Sequence, residues 1–402
     1  MRASHRQLYP PTHRRQLLAM PAPVQRNRRT IIPASYFHDE AIFAKEQRLL
    51  IQNTWQFVCL TTDLKDDNDF ITRSIGGIPV VVQNFKGKLA AFQNICSHRY
   101  SPIQTAGSGN RQFVCPYHGW KFSETGLPIG IPHNLEFYPI AREDKPQFAL
   151  KRFKVETCGN LVFVAVIEQR SLREQLGDFY EIVERIGTAL DDIYFTTKIP
   201  ADCNWKFVVH NAFDDIHAEF VHPSSSLDTS VYTGALWKSH PFDAGEEKPS
   251  FDYSKRHAQL NVSMDSATVQ RNETLWKPCF PDRAYPFDDY LHLFLFPNLI
   301  ITSVQGFWYN IVRYEPISSA RSLMTNWLVP ARPTSGNSQA TPELLYRLAL
   351  GSLRIFSEDV QAVEVSQTVI RSSCRPGVLG QREDKIVAFE EAYMNVMAGE
   401  AA

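Results

Sequence analysis

Cys96 and His98 lie two positions apart, and Cys115 and His118 lie three apart, with the sixteen residues Arg99 to Val114 between the pairs. Each pair sits in a short loop that offers one thiolate and one imidazole. Two sulfur and two nitrogen donors suit a structural zinc ion. They also suit a two-iron, two-sulfur cluster in which the thiolates hold one iron and the imidazoles the other, raising its reduction potential. Zinc half-sites usually pair like with like, and here both halves are mixed, which favours the cluster. Gly119-Trp120 follows the second loop, a glycine for a tight turn and an indole to shield a cluster from solvent.

Three of the chain's twelve histidines, His210, His217 and His222, fall between Asn204 and Pro223 with several acids. On a helix Asp214 and His217 share a face, so a carboxylate and an imidazole act together. His222 lies about 140° around an ideal helix from His217. Pro223 disfavours helical geometry at the residue before it, so His222 is expected to swing back from the helix end and join His217. Two histidines and a carboxylate make the facial triad of a mononuclear Fe(II) site with open positions. The candidate acid is Asp359, whose three- and four-residue neighbours Ile355, Phe356, Ala362 and Val363 are apolar. A carboxylate on an apolar helix face needs a partner, and a metal supplies one. Glu358 and Glu364 have polar neighbours and read as solvated. His210, seven residues before His217, lines the same pocket with Asn211 or is a satisfied core histidine.

These residues need two kinds of scaffold. Strand-like runs at Trp55–Leu60, Phe70–Ile75, Pro79–Phe85, Leu89–Ile95, Phe148–Thr157 and Asn160–Ile167 predict a small antiparallel barrel or sandwich, with a hairpin turn at Lys86-Gly87. A short helix over 39–53 precedes them. Ser171-Leu172-Arg173-Glu174 forms a capping box ahead of a helix carrying Leu176, Phe179, Val183 and Ile186, and sets a boundary near residue 170. Four further strands over 290–329 and helices over Pro342–Arg371 and Glu383–Met397 make the second half α+β. The expected division is a basic arm over 1–38, a cluster domain over 39–170 and a metal domain over 171–402.

With 402 residues, 44% hydrophobic, 21% charged and a net charge of −1, the chain has the profile of a globular protein of two domains. That balance does not advertise nucleic acid as a partner. Residues 1–38 concentrate seven arginines and no carboxylate. They form a transit peptide, a basic arm for a partner, or a loose tail with Met20 as the true start. Seven scattered cysteines and no secretory signal argue against disulfides. Cys59, Cys158, Cys203, Cys279 and Cys374 are expected as small buried hydrophobes. His133 is expected at the surface, and Trp237, Trp276, Trp308 and Trp327 as core packing rather than an aromatic cage. No apolar run has membrane-spanning length, so the expected location is cytoplasmic. Gly107-Ser108-Gly109 is too short for a dinucleotide fingerprint, so NAD(P)H is not expected to bind this chain.

The loop pair resembles the Rieske signature, and Cys115-Pro116-Tyr117-His118-Gly119-Trp120 is similar to the form found in Rieske non-haem iron oxygenase α subunits, a resemblance running from about Ile32 to Met397. It implies a Rieske [2Fe-2S] domain followed by a helix-grip catalytic domain, in which a curved antiparallel sheet wraps a long helix. It also implies O2 as cosubstrate, electrons from a separate reductase or ferredoxin that alone uses NAD(P)H, and a small organic substrate. By the same resemblance an acid in the late helix is the third iron ligand, which agrees with Asp359. Asp214 bridges His217 to His118 of a neighbouring subunit as the electron route; alternatively it only orients His217. Many members have Glu-Asn where this chain has His210-Asn211. Cys374-Arg375-Pro376-Gly377-Val378-Leu379-Gly380 resembles the homotrimeric branch that includes amine and betaine oxygenases, implying hydroxylation or oxidative demethylation. An arene cis-dihydroxylating dioxygenase is the alternative, and an electron-transfer protein with a non-catalytic ligand-binding domain is a third.

Overall fold

The computed structural model describes residues 28–214, 217–222, 251–253, 256–263, 266–280, 283–334, 341–380 and 383–399. The arm before residue 28, Pro223 and Trp237 lie outside this set.

The chain enters through β1 (Arg28–Arg29) and α1 (Glu40–Glu46). Asp39 caps α1 by accepting hydrogen bonds from Ala41 N and Ile42 N. The strands of the first half are β2 (Gln56–Leu60), β3 (Asp69–Ile75), β4 (Ile78–Phe85), β5 (Lys88–Gln93), β6 (Ser108–Asn110), β7 (Lys121–Phe122), β8 (Pro128–Gly130), β9 (Arg152–Cys158) and β10 (Leu161–Ala165), with the short α2 (Asn134–Phe137) after β8. Seven of them form an antiparallel sheet in the order β2-β10-β9-β5-β4-β3-β6, and β7 and β8 make a separate ribbon. Lys86 and Gly87 take φ of 52° and 87°, the left-handed pair that a two-residue hairpin requires.

The second half contains α3 (Leu172–Leu176), α4 (Tyr180–Ala189), β11 (Phe195–Ala201), α5 (Trp205–Phe213), α6 (Ala218–Val221), β12 (Phe251–Tyr253), β13 (Ala258–Ser263), α7 (Ser266–Trp276), β14 (Asp289–Leu295), β15 (Leu299–Val304), β16 (Trp308–Ser318), β17 (Arg321–Pro330), α8 (Pro342–Val369), β18 (Val378–Leu379) and α9 (Asp384–Met397). Its seven-stranded antiparallel sheet runs β11-β17-β16-β15-β14-β13-β12. This is the curved sheet around a long helix that the sequence implied. The capping box forms, with Ser171 N donating to Glu174 Oε2 at 2.7 Å and Glu174 N to Ser171 Oγ at 3.2 Å. The single helix expected behind it is split into α3 and α4 by Gly177, whose φ is 51°.

Both faces of the second sheet are buried, which is why its strands read as apolar runs rather than alternations. Leu291, Leu293, Ile301, Ile311 and Trp327 pack on Phe57 and Phe163 of the first half and on Val183 and Ile186 of α4. The opposite face sets Phe294, Ile300, Val312, Tyr314 and Met324 against Trp205, Val209 and Phe213 of α5, Val360 of α8 and Phe389 of α9. A buried polar contact fixes the register of α8 on that face: Ser352 Oγ donates to Asn310 Oδ1 at 3.2 Å, and Asn326 Nδ2 to the same oxygen at 3.0 Å. Asp359 lies two helical turns further along, about 10 Å from Ser352 at the usual rise.

The entry segment is tied to the second half. β1 pairs with β18, and Glu46, fully buried, accepts hydrogen bonds from Trp205 Nε1 at 3.0 Å, Lys206 Nζ at 2.5 Å and the Tyr393 hydroxyl. Burial drives the Lys206 pKa down while Glu46 opposes that shift. Cys59, Cys158 and Cys203 are buried as expected, but Cys279 is only half-buried and Cys374 is exposed, because each lies in a segment that follows a helix end. Trp276 and Trp308 pack on each other at 4.8 Å, and Trp327 on Phe57 at 5.0 Å. Among the described residues no helix is long and apolar enough to cross a membrane.

Removing one partner of the buried pair strands the other, so Glu46→Ala is expected to cost about 3–5 kcal/mol. Glu46→Leu combined with Lys206→Met should cost less, as a comparison of thermal midpoints will show. Three buried histidines predict acid sensitivity. His257 donates from Nε2 to Gln175 O and accepts at Nδ1 from Phe296 N, and His292 donates from Nε2 to Ala212 O. Burial lowers His257 to about 4, His210 to about 3, and His292 well below its ordinary value. Their stabilisation is present above the unfolded histidine pKa of about 6.5 and is lost as pH falls from there toward 4 and 3. His257→Gln should flatten that loss in a pH series of unfolding midpoints.

Candidate metal centres

The first loop hangs from Asn94, the residue after β5. Its Oδ1 accepts from Ile103 N and Gln104 N at 2.9 and 3.0 Å, and its Nδ2 donates to Gln104 O at 2.7 Å. Within that staple Cys96 N donates to Ser101 O at 2.8 Å. The second loop closes through Cys115 N to Trp120 O at 2.9 Å and Gly119 N to Cys115 O at 3.0 Å. Gly119 takes φ 70°, which favours glycine, and a Cβ there would press on Pro132 Cγ at 3.1 Å.

The four candidate donors converge. Cys96 and Cys115 are 1% and 2% exposed, and the rings of His98 and His118 are 4.5 Å apart. Trp120 stacks on His98 at 5.2 Å with an interplanar angle of 3°, and the Tyr138 hydroxyl lies 3.4 Å from His98 Nε2. Burial, with Cys115 beside it, pushes the Cys96 thiol up to about 11, and burial followed by His118 lowers His98. A thiolate here therefore needs a positive centre beside it, while the lowered His98 already favours the neutral imidazole that ligates a metal. His118 Nδ1 is buried without a hydrogen-bond partner. Paired thiols, paired imidazoles and an orphaned ring nitrogen fit a [2Fe-2S] cluster.

The second constellation is built from a helix break. α5 ends at Phe213, and Asp214 is extended at φ −87°, ψ 132°, its N–H donating to His210 O and Asn211 O. The helix face expected to carry Asp214 and His217 therefore does not exist. Asp214 instead reaches across the break, its Oδ2 lying 3.5 Å from His217 Nδ1. His222 ends the four-residue α6 at φ −111°, ψ 40°, and faces His217 with ring centroids 5.4 Å apart.

α8 brings the third group. Asp359 Oδ1 lies 3.2 Å from His217 Nε2 and 2.9 Å from His222 Nε2. Among the described residues His217, His222 and Asp359 form a group whose ligand atoms all lie within 4.8 Å of one another. Burial disfavours charge on all three, yet Asp214 and Asp359 hold His217 up to about 9, and the histidines hold Asp359 below the usual carboxylate range. The raised histidines and the depressed carboxylate mark a site that calls for positive charge, and His217 Nδ1 and Asp359 Oδ1 are buried without a hydrogen-bond partner. The donor set fits Fe(II).

Glu358, read from the sequence as solvated, is part of this site. Its Oε2 lies 2.8 Å from His222 Nδ1, while Oε1 lies 3.5 Å from Arg354 Nε. The Arg354 neighbour was legible; the reach of the longer side chain around the helix was not. His210 is placed in the core rather than toward the metal group, edge-on to Phe37 and Phe389 at 5.9 and 5.5 Å and 3.8 Å from Glu390. Asn211 is half-buried beside the helix end. His133 is exposed, 3.6 Å from Glu136.

Residues 54–145 match the Rieske [2Fe-2S] domain family, and residues 188–399 match the ring hydroxylating alpha subunit (catalytic domain) family. Choline monooxygenase of Spinacia oleracea is 29% identical over 204 residues, covering 47% of this chain and 44% of that protein. Anthranilate 1,2-dioxygenase large subunit of Acinetobacter baylyi is 28% identical over 235 residues, covering 56% and 48%. The chain spans about half the length of the curated relatives it matches. The solved structure of the quaternary ammonium Rieske monooxygenase CntA with L-carnitine superposes with a TM-score of 0.71 at 19% identity, covering 92% of this chain and 96% of that one. Naphthalene 1,2-dioxygenase from Rhodococcus sp. gives 0.69 at 18%, covering 92% and 95%. These likenesses carry the fold, and the family match extends over more than half of the sequence. A Rieske module ahead of a helix-grip module is thus no chance juxtaposition of two metal-binding sets, and the chain belongs to the family of Rieske-type ring-hydroxylating oxygenase α subunits.

Proposed function

We propose that this chain is the terminal oxygenase component of a multicomponent Rieske oxygenase, hydroxylating or oxidatively demethylating a small organic substrate. Cys96, His98, Cys115 and His118 hold the [2Fe-2S] cluster, and His217, His222 and Asp359 hold the mononuclear Fe(II). One observation carries this reading: two imidazole Nε2 atoms meet one oxygen of Asp359 from a segment more than 130 positions away. A carrier whose second domain merely bound a ligand would not need that convergence. Bound at these sites, the cluster relays single electrons and the iron offers open positions for O2 beside the substrate.

The chain's own residues set the conditions for that chemistry. Asp214 Oδ2 faces His217 Nδ1, so a proton held there leaves Nε2 as the ligand atom. Trp120 and Tyr138 flank the ring of His98 and Tyr117 lies against that of His118 at 3.9 Å; His118 is assigned as the exit through its pairing with Asp214 of a neighbouring copy. Asp214, with its side chain 22% exposed, connects His217 to His118 of a neighbouring copy in a homotrimer. Electrons come from a separate reductase or ferredoxin that draws on NAD(P)H. The domains divide as a basic arm over 1–38, the Rieske domain over 39–170 and the catalytic domain over 171–402. The presence of a dioxygenase among the relatives keeps arene cis-dihydroxylation as the second reading.

The purified protein should contain about three irons per chain; a stable two-iron protein would sink the oxygenase. Asp214→Asn should keep both metals while turnover is abolished, and normal activity in that variant would disprove the electron route. A reductase-coupled screen with 18O2 over amines, aromatic acids and arenes should show one oxygen atom incorporated per turnover. Two atoms would select the dioxygenase instead.

A further inference from the structure

The geometry points to Glu358 as a positioning residue for His222, an assignment that rests on the iron site proposed above. An imidazole that binds a metal through Nε2 carries its proton on Nδ1, and a carboxylate accepting that proton fixes the ring and raises its basicity. Glu358 Oε2 sits 2.8 Å from His222 Nδ1 while His222 Nε2 faces Asp359 at 2.9 Å, so both ring nitrogens are engaged from one helix. The corresponding contact on the other histidine, Asp214 to His217, is longer at 3.5 Å.

The placement on α8 gives the contact its force. Residues 358 and 359 are consecutive, about 100° apart around the helix axis. One turn of a 28-residue helix therefore presents both the metal-facing carboxylate and the carboxylate that braces the facing histidine. Their spacing is set by helix geometry rather than by a loop. Arg354, one turn earlier at the i,i+4 position, sits 3.5 Å from the far oxygen of Glu358 and balances its charge at the partly exposed end. His222 itself is only 6% exposed in its side chain, so water does not replace this brace.

The two outer carboxylates then have separate work. Asp214 lies in the non-helical break and faces the electron route. Glu358 lies on the rigid helix and secures the metal.

The test uses the full-length protein with its cluster intact and titrates the mononuclear site with Fe(II), and with Co(II) as a spectroscopic probe, against a competing chelator. Glu358→Ala should weaken the dissociation constant roughly 10–100-fold and shift the Co(II) ligand-field bands. Glu358→Gln, which keeps an acceptor oxygen, should fall between that variant and the parent. The visible absorbance and electron paramagnetic resonance of the [2Fe-2S] cluster should be unchanged in both. Parent-like metal affinity in both variants overturns the assignment alone. Loss of the cluster signal in step with the mononuclear metal also overturns it, by showing a general structural role. A parent protein that binds no metal beyond the cluster irons overturns the iron site and this inference together.

Discussion

Two histidine rings and one carboxylate oxygen meet at a single half-buried point, and the catalytic half of the chain is organised to make that meeting possible. Around it stand three acids, Asp214, Glu358 and Asp359, each within 3.5 Å of an imidazole nitrogen. Clustering that much negative charge away from water is unfavourable unless positive charge is supplied. The elevated His217 and the depressed Asp359 express the same demand from the two sides of the pair. The fold's contribution is to hold the acids and imidazoles where a divalent cation satisfies all of them at once.

Meeting that constraint requires two distant segments to be fixed independently. α5 is anchored at its start, where Trp205 and Lys206 reach the buried Glu46, and the same carboxylate takes the hydroxyl of Tyr393 on α9. α8 is anchored on the sheet by Ser352 and Asn310. The cluster half solves its problem more locally: each loop is stapled by its own backbone and side-chain hydrogen bonds, and Trp120 stacks directly on the His98 it follows in space. A site made of loops near one another in sequence needs little from the remaining fold.

That difference explains what could be read from the residues alone. The four proposed cluster donors lie within 23 positions, and their mixed types leave few alternatives. The face on which Asp359 lies, toward His217 and His222, was legible from helix periodicity. The end of α5 at Asp214 was not, because its extended backbone is fixed by tertiary packing and by capping bonds that propensity does not encode. β11 was missed for a related reason: its exposed and buried residues alternate at the sheet edge, and Pro200 breaks the pattern of a strand while being tolerated there. His210 lies on the expected helix, yet its ring turns to Phe37 and Glu390, partners from the two ends of the chain. Glu46 and Lys206 are likewise 160 residues apart, and nothing local announces them.

The unequal rigidity of the two segments has a chemical consequence. Donors that face one carboxylate oxygen at 2.9 and 3.2 Å must separate slightly for a cation to lie among them. α8 is 28 residues long and packed along the sheet, so Asp359 and Glu358 form the fixed wall. α6 is a single four-residue turn, with the extended Asp214 before it and His222, at φ −111° and ψ 40°, out of helical geometry after it. The long helix would thus set the reference position for a bound metal, and the short histidine segment would be the part left to adjust. Glu358 faces His222 Nδ1 at 2.8 Å and Asp214 faces His217 Nδ1 at 3.5 Å, so an outer carboxylate stands behind each ring while Nε2 points inward.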